Sequence, residues 1–142
     1  MKNLLLILIL STIIASCGKD APGLSVDEYI TTNNLTTTEL AEGVHIIIQS
    51  PGNGSKPNIN SNIEIAYVGR LTDGTIFDSS DKVDFALSGV VRGWQIGLPE
   101  IGIGGSCTLI IPASAGYGDS GKGSVQGGAT MVFDIELLDI IF

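Results

Sequence analysis

Tyr67, Phe77, Trp94, Tyr117 and Phe133 hold most of the chain's aromatic surface, and most of them stand beside glycine turns. They fall in the segments Tyr67-Val68-Gly69, Phe77-Asp78-Ser79-Ser80, Val90-Val91-Arg92-Gly93-Trp94, Gly116-Tyr117-Gly118 and Thr130-Met131-Val132-Phe133-Asp134. That placement suggests one shared cavity rather than scattered core filling. No nucleophile with an adjacent base accompanies the rings: the only histidine, His45, lies far from Cys107, and no catalytic signature surrounds the thiol. An aromatic-walled cavity without a nucleophile suits a reaction that twists a bond instead of breaking one.

Other signals carry less chemistry. Gly102-Ile103-Gly104-Gly105 leads into a strand instead of opening a helix, so it is not a dinucleotide loop. Asp81, Asp84 and Asp119 lack metal-loop spacing, and His45 on its strand has no second ligand nearby, so no metal and no cofactor are expected. Cys107 alternates onto the side of Leu109 and Ile111 and reads as a small inert core residue. Each ring also has an ordinary structural reading: Trp94 alone would serve as a core plug, Tyr67 and Phe133 as strand packing, and Asp78 as a turn former. Tyr117 resists that reading, because its glycine neighbours neither shield nor pack a ring.

The elements that must position these residues follow one another after residue 43. Residues 44–49 are rich in β-branched side chains and end at Ser50-Pro51-Gly52-Asn53-Gly54, a turn cluster. Ile63, Ile65 and Tyr67 alternate with Glu64, Ala66 and Val68 in a strand that reverses at Asp73-Gly74, a pair suited to a two-residue hairpin. The return strand carries Phe77 and is followed by a short polar loop and a further strand segment over residues 83–87. Val91, Trp94 and Leu98 recur at helical spacing and predict the one helix of the body, stopped by Gly97 and Pro99. Residues 107–111 and 130–141 are long apolar strands, and the Gly- and Ser-rich loop over 113–128 between them is long enough to imply a function. The fold class is therefore α+β: a mostly antiparallel sheet of five or six strands closing over one short helix.

At 142 residues the chain is one domain preceded by targeting sequence. Residues 1–16 read as an export signal, with Lys2 at its start and an apolar run over 4–10, and Ile14-Ala15-Ser16-Cys17 resembles the bacterial lipobox, in which the cysteine is acylated. The apolar run is shorter than the roughly 20 residues of a membrane-spanning helix. Residues 17–40, rich in Thr, Asn, Asp and Glu, form a tether from a lipidated Cys17, with Ser25-Val26-Asp27-Glu28 fitting a capping box for a short helix to about Asn33. The folded domain occupies 41–142. These features place the protein at a bacterial cell envelope as an extracytoplasmic, membrane-anchored lipoprotein. A net charge of −8 with dispersed basic residues excludes nucleic acid as a partner.

Taken in order, the aromatic segments and Val132-Phe133-Asp134-Ile135-Glu136-Leu137-Leu138 resemble the FKBP family of peptidyl-prolyl cis-trans isomerases over about residues 43–141. The resemblance implies a sheet wrapped round a short helix and a monomeric enzyme acting on proline-containing polypeptides. It implies Trp94 as the floor under the proline ring, Tyr67, Phe77 and Phe133 as walls, and Val90 and Val91 lining the site, with the Val91 N–H on a substrate carbonyl. Asp78 is implied near the twisting amide and Tyr117 with its hydroxyl on the substrate backbone. The chain departs from the family pattern in two places. Only Asp81-Lys82 separates Ser80 from Val83, where an aromatic is common. The stretch after Tyr117 lacks an Ile-Pro-Pro run, leaving Val125 as the one apolar residue to cover a ligand, in a glycine-rich flap expected to be mobile. These departures leave a peptide-binding or holdase module, or an envelope lipoprotein with a vestigial pocket, as alternatives.

Overall fold

A computed structural model describes residues 22–142. The expected export signal, the lipobox and Cys17 lie outside the described residues. Six strands make one antiparallel sheet: β1 (Thr38–Glu39), β2 (His45–Ser50), β3 (Asn62–Leu71), β4 (Ile76–Ala86), β5 (Ser106–Ile111) and β6 (Met131–Ile141). Their lateral order is β1-β2-β5-β6-β3-β4, so the long strands β3 and β6 are paired neighbours and both lie inside the sheet's edges. Every neighbouring pair runs antiparallel.

The alternation read in β3 is realised, with Ile63, Ile65 and Tyr67 buried on the face that also presents Leu109, Ile111, Phe133 and Leu137. Helix α2 (Arg92–Gly97) lies against that face and continues through a single 3₁₀ turn, Leu98–Glu100. Gly93 and Gly97, four residues apart, share one side of α2. A Cβ built on Gly93 would come within 2.5 Å of Ile111, and one on Gly97 within 2.4 Å of Leu109. The bare edge lets the helix settle onto β5 and turns Trp94 into the core, where it is 4% exposed. Gly97→Ala is therefore expected to cost about 1–3 kcal/mol through overpacking, read as a lower midpoint in urea unfolding. A midpoint at or above that of the wild type would mean that the approach of α2 is not what Gly97 provides.

Three local expectations are corrected. The reversal after β3 is longer than a two-residue hairpin: the Gly74 N–H donates to Leu71 O at 3.0 Å and the Leu71 N–H to Thr75 O at 2.9 Å. Only Gly74, at φ +90°, is left-handed there, while the Asp73 carboxylate accepts the Thr75 N–H at 2.9 Å. The polar loop expected before residue 83 is a bulge within the continuous strand β4: Ile65 pairs with Val83 and Tyr67 with Ser80, so Ala66 faces both Asp81 and Lys82. A strand absorbs one extra residue this way without ending.

The third concerns the described part, residues 22–40, of the segment expected as a tether with a possible short helix: the helix is there, and it is docked. Helix α1 (Val26–Thr32) forms behind a complete capping box, the Glu28 N–H donating to Ser25 Oγ and the Ser25 N–H to Glu28 Oε2. Val26 packs on Ile110 and Val132, with Tyr29, Ile30 and Leu35 around them, and this covers the outer face of the sheet. A seven-residue helix persists because it is docked, since isolated helices of this length are marginal. With β1 paired to β2, the folded body extends well to the N-terminal side of residue 41. On the same outer face the Asp134 carboxylate accepts from Arg70 and from Thr108 Oγ1 (2.6 Å), and Thr108 Oγ1 accepts from Gln49 Nε2 at 2.8 Å. Asp134 thus ties four strands together and takes no part in the aromatic face.

Candidate active site

Between α2, the segment before it and the central strands lies a cleft of about 250 Å³, lined by Tyr67, Asp78, Phe85, Gly89, Val90, Val91, Trp94, Tyr117, Lys122 and Phe133. Trp94 is its hub. The indole meets Tyr67 at a centroid distance of 5.1 Å, Phe133 at 5.1 Å and Phe85 at 5.9 Å, all edge-to-face. Such pairs set the positive edge of one ring on the negative face of another. Trp94 Nε1 is buried without a hydrogen-bond partner among the described residues.

Val90 and Val91 form the rim just ahead of α2, with Val91 as its N-cap residue. Their segment is held by Gln95, whose Nε2 donates to Val90 O at 3.0 Å and to Ser88 O at 3.2 Å. Gln95 is a positioning residue that carries no motif of its own, and only the folded contact reveals it.

Asp78 owes its place to a second bulge. Gly69 pairs with Asp78 but Arg70 pairs with Ile76, leaving Phe77 as the extra residue. Consecutive side chains of β4 are thereby brought to the α2 face: Phe77 packs edge-to-face on Phe133 at 5.5 Å, while Asp78 Oδ2 accepts the Tyr67 hydroxyl at 2.6 Å. Bulges re-aim side chains in this manner beside functional sites. Gly69 makes room for both rings, since a Cβ there would meet Phe133 at 2.6 Å and Phe77 at 2.8 Å.

Burial, with the Asp78 carboxylate holding its proton, raises the Tyr67 phenol well above its ordinary value of 10.0. The unfolded chain therefore loses this proton first as pH rises. The contribution of the pair is complete below pH 10 and decays from there toward the raised value of the folded state. We expect the wild-type melting temperature to fall more steeply above pH 10 than that of Tyr67→Phe; parallel curves would mean that the pair does not couple to folding.

Of the residues expected to form the site, Asp78, Tyr67, Val90, Val91, Trp94, Tyr117 and Phe133 line the cleft, whereas Phe77 and Val125 do not. Phe77 backs Phe133 from behind. Val125, expected to cover a ligand, is turned inward at 4% exposure and joins the core. Its backbone pairs with Lys122 through hydrogen bonds of 2.9 Å in both directions. The flap, expected to be loose, is packed turn on turn: a Cβ on Gly121 would lie 2.2 Å from Val125 O. Phe85 and Lys122 also line the cleft, and neither was expected there. Phe85 could have been found from the alternation of β4, because it pairs with the buried Ile63. Cys107 is buried as expected, which pushes its thiol up to about 12 and keeps it inert at neutral pH. His45 Nδ1 is satisfied by Thr37 Oγ1 at 2.8 Å. Among the described residues, no cluster of His, Cys, Asp or Glu is arranged to hold a metal ion.

A six-stranded antiparallel sheet, one short helix on its inner face and an aromatic cleft between them define a known class. Residues 53–138 match the model of the FKBP-type peptidyl-prolyl cis-trans isomerases, and the chain belongs to that family. It is 35% identical to a probable FKBP-type isomerase, FkpA, of Neisseria meningitidis over 89% of this chain and 47% of that protein. It is 34% identical to the FkpA isomerase of Aeromonas hydrophila over 80% of this chain and 45% of that one. The chain thus spans less than half the length of these curated relatives. The crystal structure of a peptidyl-prolyl cis-trans isomerase from Pseudomonas syringae superposes with a TM-score of 0.78 at 33% identity, covering 88% of this chain and all of that one.

Proposed function

We propose that the protein catalyses cis–trans isomerisation of X–Pro bonds in exported polypeptides, and that a lipid on Cys17 holds it at the outer side of a cytoplasmic or other envelope membrane. The observation that supports this reading is the convergence of Tyr67, Phe85, Trp94 and Phe133 on one cleft that also holds a fixed carboxylate, Asp78. An X–Pro bond needs little else. Its barrier is about 18–20 kcal/mol and its isomers differ by only ~0.5–1 kcal/mol, so only the midpoint must be stabilised. At the midpoint the amide loses resonance, its carbonyl becomes less dipolar and its nitrogen pyramidal. A dry aromatic cleft therefore favours the twisted form over the planar one, which is differential binding of the transition state.

In this reading Trp94 carries the proline ring, with Tyr67, Phe85 and Phe133 around it. The Val91 N–H holds a substrate carbonyl, Tyr117 bonds the substrate backbone and Asp78 faces the rotating amide. The direct test is the relaxation of short X–Pro peptides after a cis-enriched start, which takes on the order of 10–100 s uncatalysed. Acceleration at micromolar protein is expected. No acceleration together with measurable peptide binding would favour a holdase, a reading supported by the inward Val125, which leaves the flap without an apolar cover. The anchor is tested by mass spectrometry of the mature N-terminus, where acyl chains on Cys17 are expected and a free thiol or a cut elsewhere would remove it.

A further inference from the structure

The flap places a cation at the mouth of the cleft. Lys122 lines the cleft, and its Nζ stands 5.5 Å from the centroid of the Tyr117 ring, in cation–π reach. Among the described residues Arg70, Lys82 and Arg92 are each engaged by a carboxylate, of Asp134, Glu64 and Glu42 respectively, whereas Lys56 and Lys122 make no ion pair, and of these two only Lys122 lines the cleft. Its position is built rather than incidental. Gly121 precedes it at φ +66° and Gly123 follows at φ +55°, and the two backbone bonds to the buried Val125 close the turn beneath it. Val125 is thus the anchor of the flap, and Lys122 is the side chain that the flap offers to a ligand.

Resting on the isomerase reading above, we propose that Lys122 makes this site selective for prolines with an acidic side chain next to them in the substrate. The other charge at the cleft, the Asp78 carboxylate, already accepts the Tyr67 hydroxyl and lies toward the aromatic floor, while Lys122 is solvent-exposed at the rim. A substrate segment threading past Tyr117 meets the ammonium with its flanking side chains, not with the prolyl ring. In a chain of net charge −8, whose overall field repels acidic peptides, such a preference depends on this one local cation.

The test uses peptides that differ only by Glu, Gln or Lys immediately before or immediately after proline, with both kcat/KM for isomerisation and Kd measured for each. At one of the two positions the wild type is expected to favour Glu over Lys by about two- to fivefold, the range of exposed ion pairs. The preference should shrink in ~1 M salt, where charges are screened beyond about 3 Å. Lys122→Glu should invert the order, and Lys122→Gln should bring the Glu-to-Lys ratio close to one. A wild-type ratio within twofold at both positions, or a Glu preference that survives in Lys122→Glu, would overturn the proposal while leaving isomerisation intact. If no peptide isomerises faster, the isomerase reading fails on its own, and the ranking of Kd values then decides whether Lys122 recognises acidic peptides.

Discussion

Trp94→Ala is expected to empty the centre of the cleft and to bring the protein close to unfolding. Truncating a buried tryptophan costs about 3–5 kcal/mol, a large part of the roughly 5–15 kcal/mol by which domains of this kind are stable. Three edge-to-face contacts, to Tyr67, Phe85 and Phe133, are lost together. Because a fall in turnover could then reflect a fall in folded protein, the informative partner is Trp94→Phe. This change keeps an aromatic in place and is expected to retain the fold by circular dichroism while lowering kcat/KM by on the order of tenfold, about 1.4 kcal/mol of transition-state stabilisation. A second readout comes from the residue itself. Trp94 is the only tryptophan, so its fluorescence reports on the cleft alone and should change when a prolyl peptide binds. A folded Trp94→Phe protein with undiminished turnover, and an indole signal blind to peptide, would place the reaction elsewhere.

The inner face of the sheet was legible because one period governs it. Ile63, Ile65 and Tyr67 bury together as their alternation requires, and Val91, Trp94 and Leu98 set the helix at the right place to within a residue. What the alternation could not foresee is where the period breaks. The bulges opposite Ala66 and at Phe77 add residues to β4, so a polar stretch read as a loop is a strand, and Phe77 moves behind Phe133 while Phe85 takes a place in the wall. A bulge is a property of the pair of strands, and one strand's sequence carries little sign of it.

The flap and the N-terminal segment misled for a related reason. Composition marked residues 17–40 as a spacer and the glycines after Tyr117 as looseness, yet the described part of the first, from residue 22, and the flap are both held by long-range contacts. α1 finds Ile110 and Val132 on the outer face, and Val125 finds the core. Glycine in the flap serves close approach of backbone to backbone, as at Gly121 against Val125 O, more than freedom. The same consideration explains why Lys122 drew no notice in the sequence. A lysine among glycines looks like a solvated charge until the turn is closed under it.

Asp78 carries the second large effect. Its Oδ2 is occupied by the Tyr67 hydroxyl, which fixes the carboxylate in the cleft. Replacing it with asparagine keeps the shape and one acceptor for that hydroxyl but removes the charge. If the charge acts on the amide as resonance is lost, kcat/KM should fall by roughly ten- to a hundredfold, up to the lower end of the roughly 100- to 1,000-fold lost when a preorganised donor is removed outright, because asparagine keeps a polar group in place. KM should change little, because the planar ground state gains less from the carboxylate than the twisted form does. Asp78→Ala goes further and strands the Tyr67 hydroxyl, adding a stability loss of about 1–3 kcal/mol that Asn avoids. Tyr67→Phe separates positioning from chemistry: it leaves the carboxylate in place but unheld, so its loss should be smaller, and the loss in a Tyr67→Phe, Asp78→Asn double variant should be less than the sum of the two. Additive losses would mean that the hydroxyl does not act through the carboxylate. An Asp78→Asn enzyme within twofold of wild type would show that the aromatic walls alone stabilise the twisted amide.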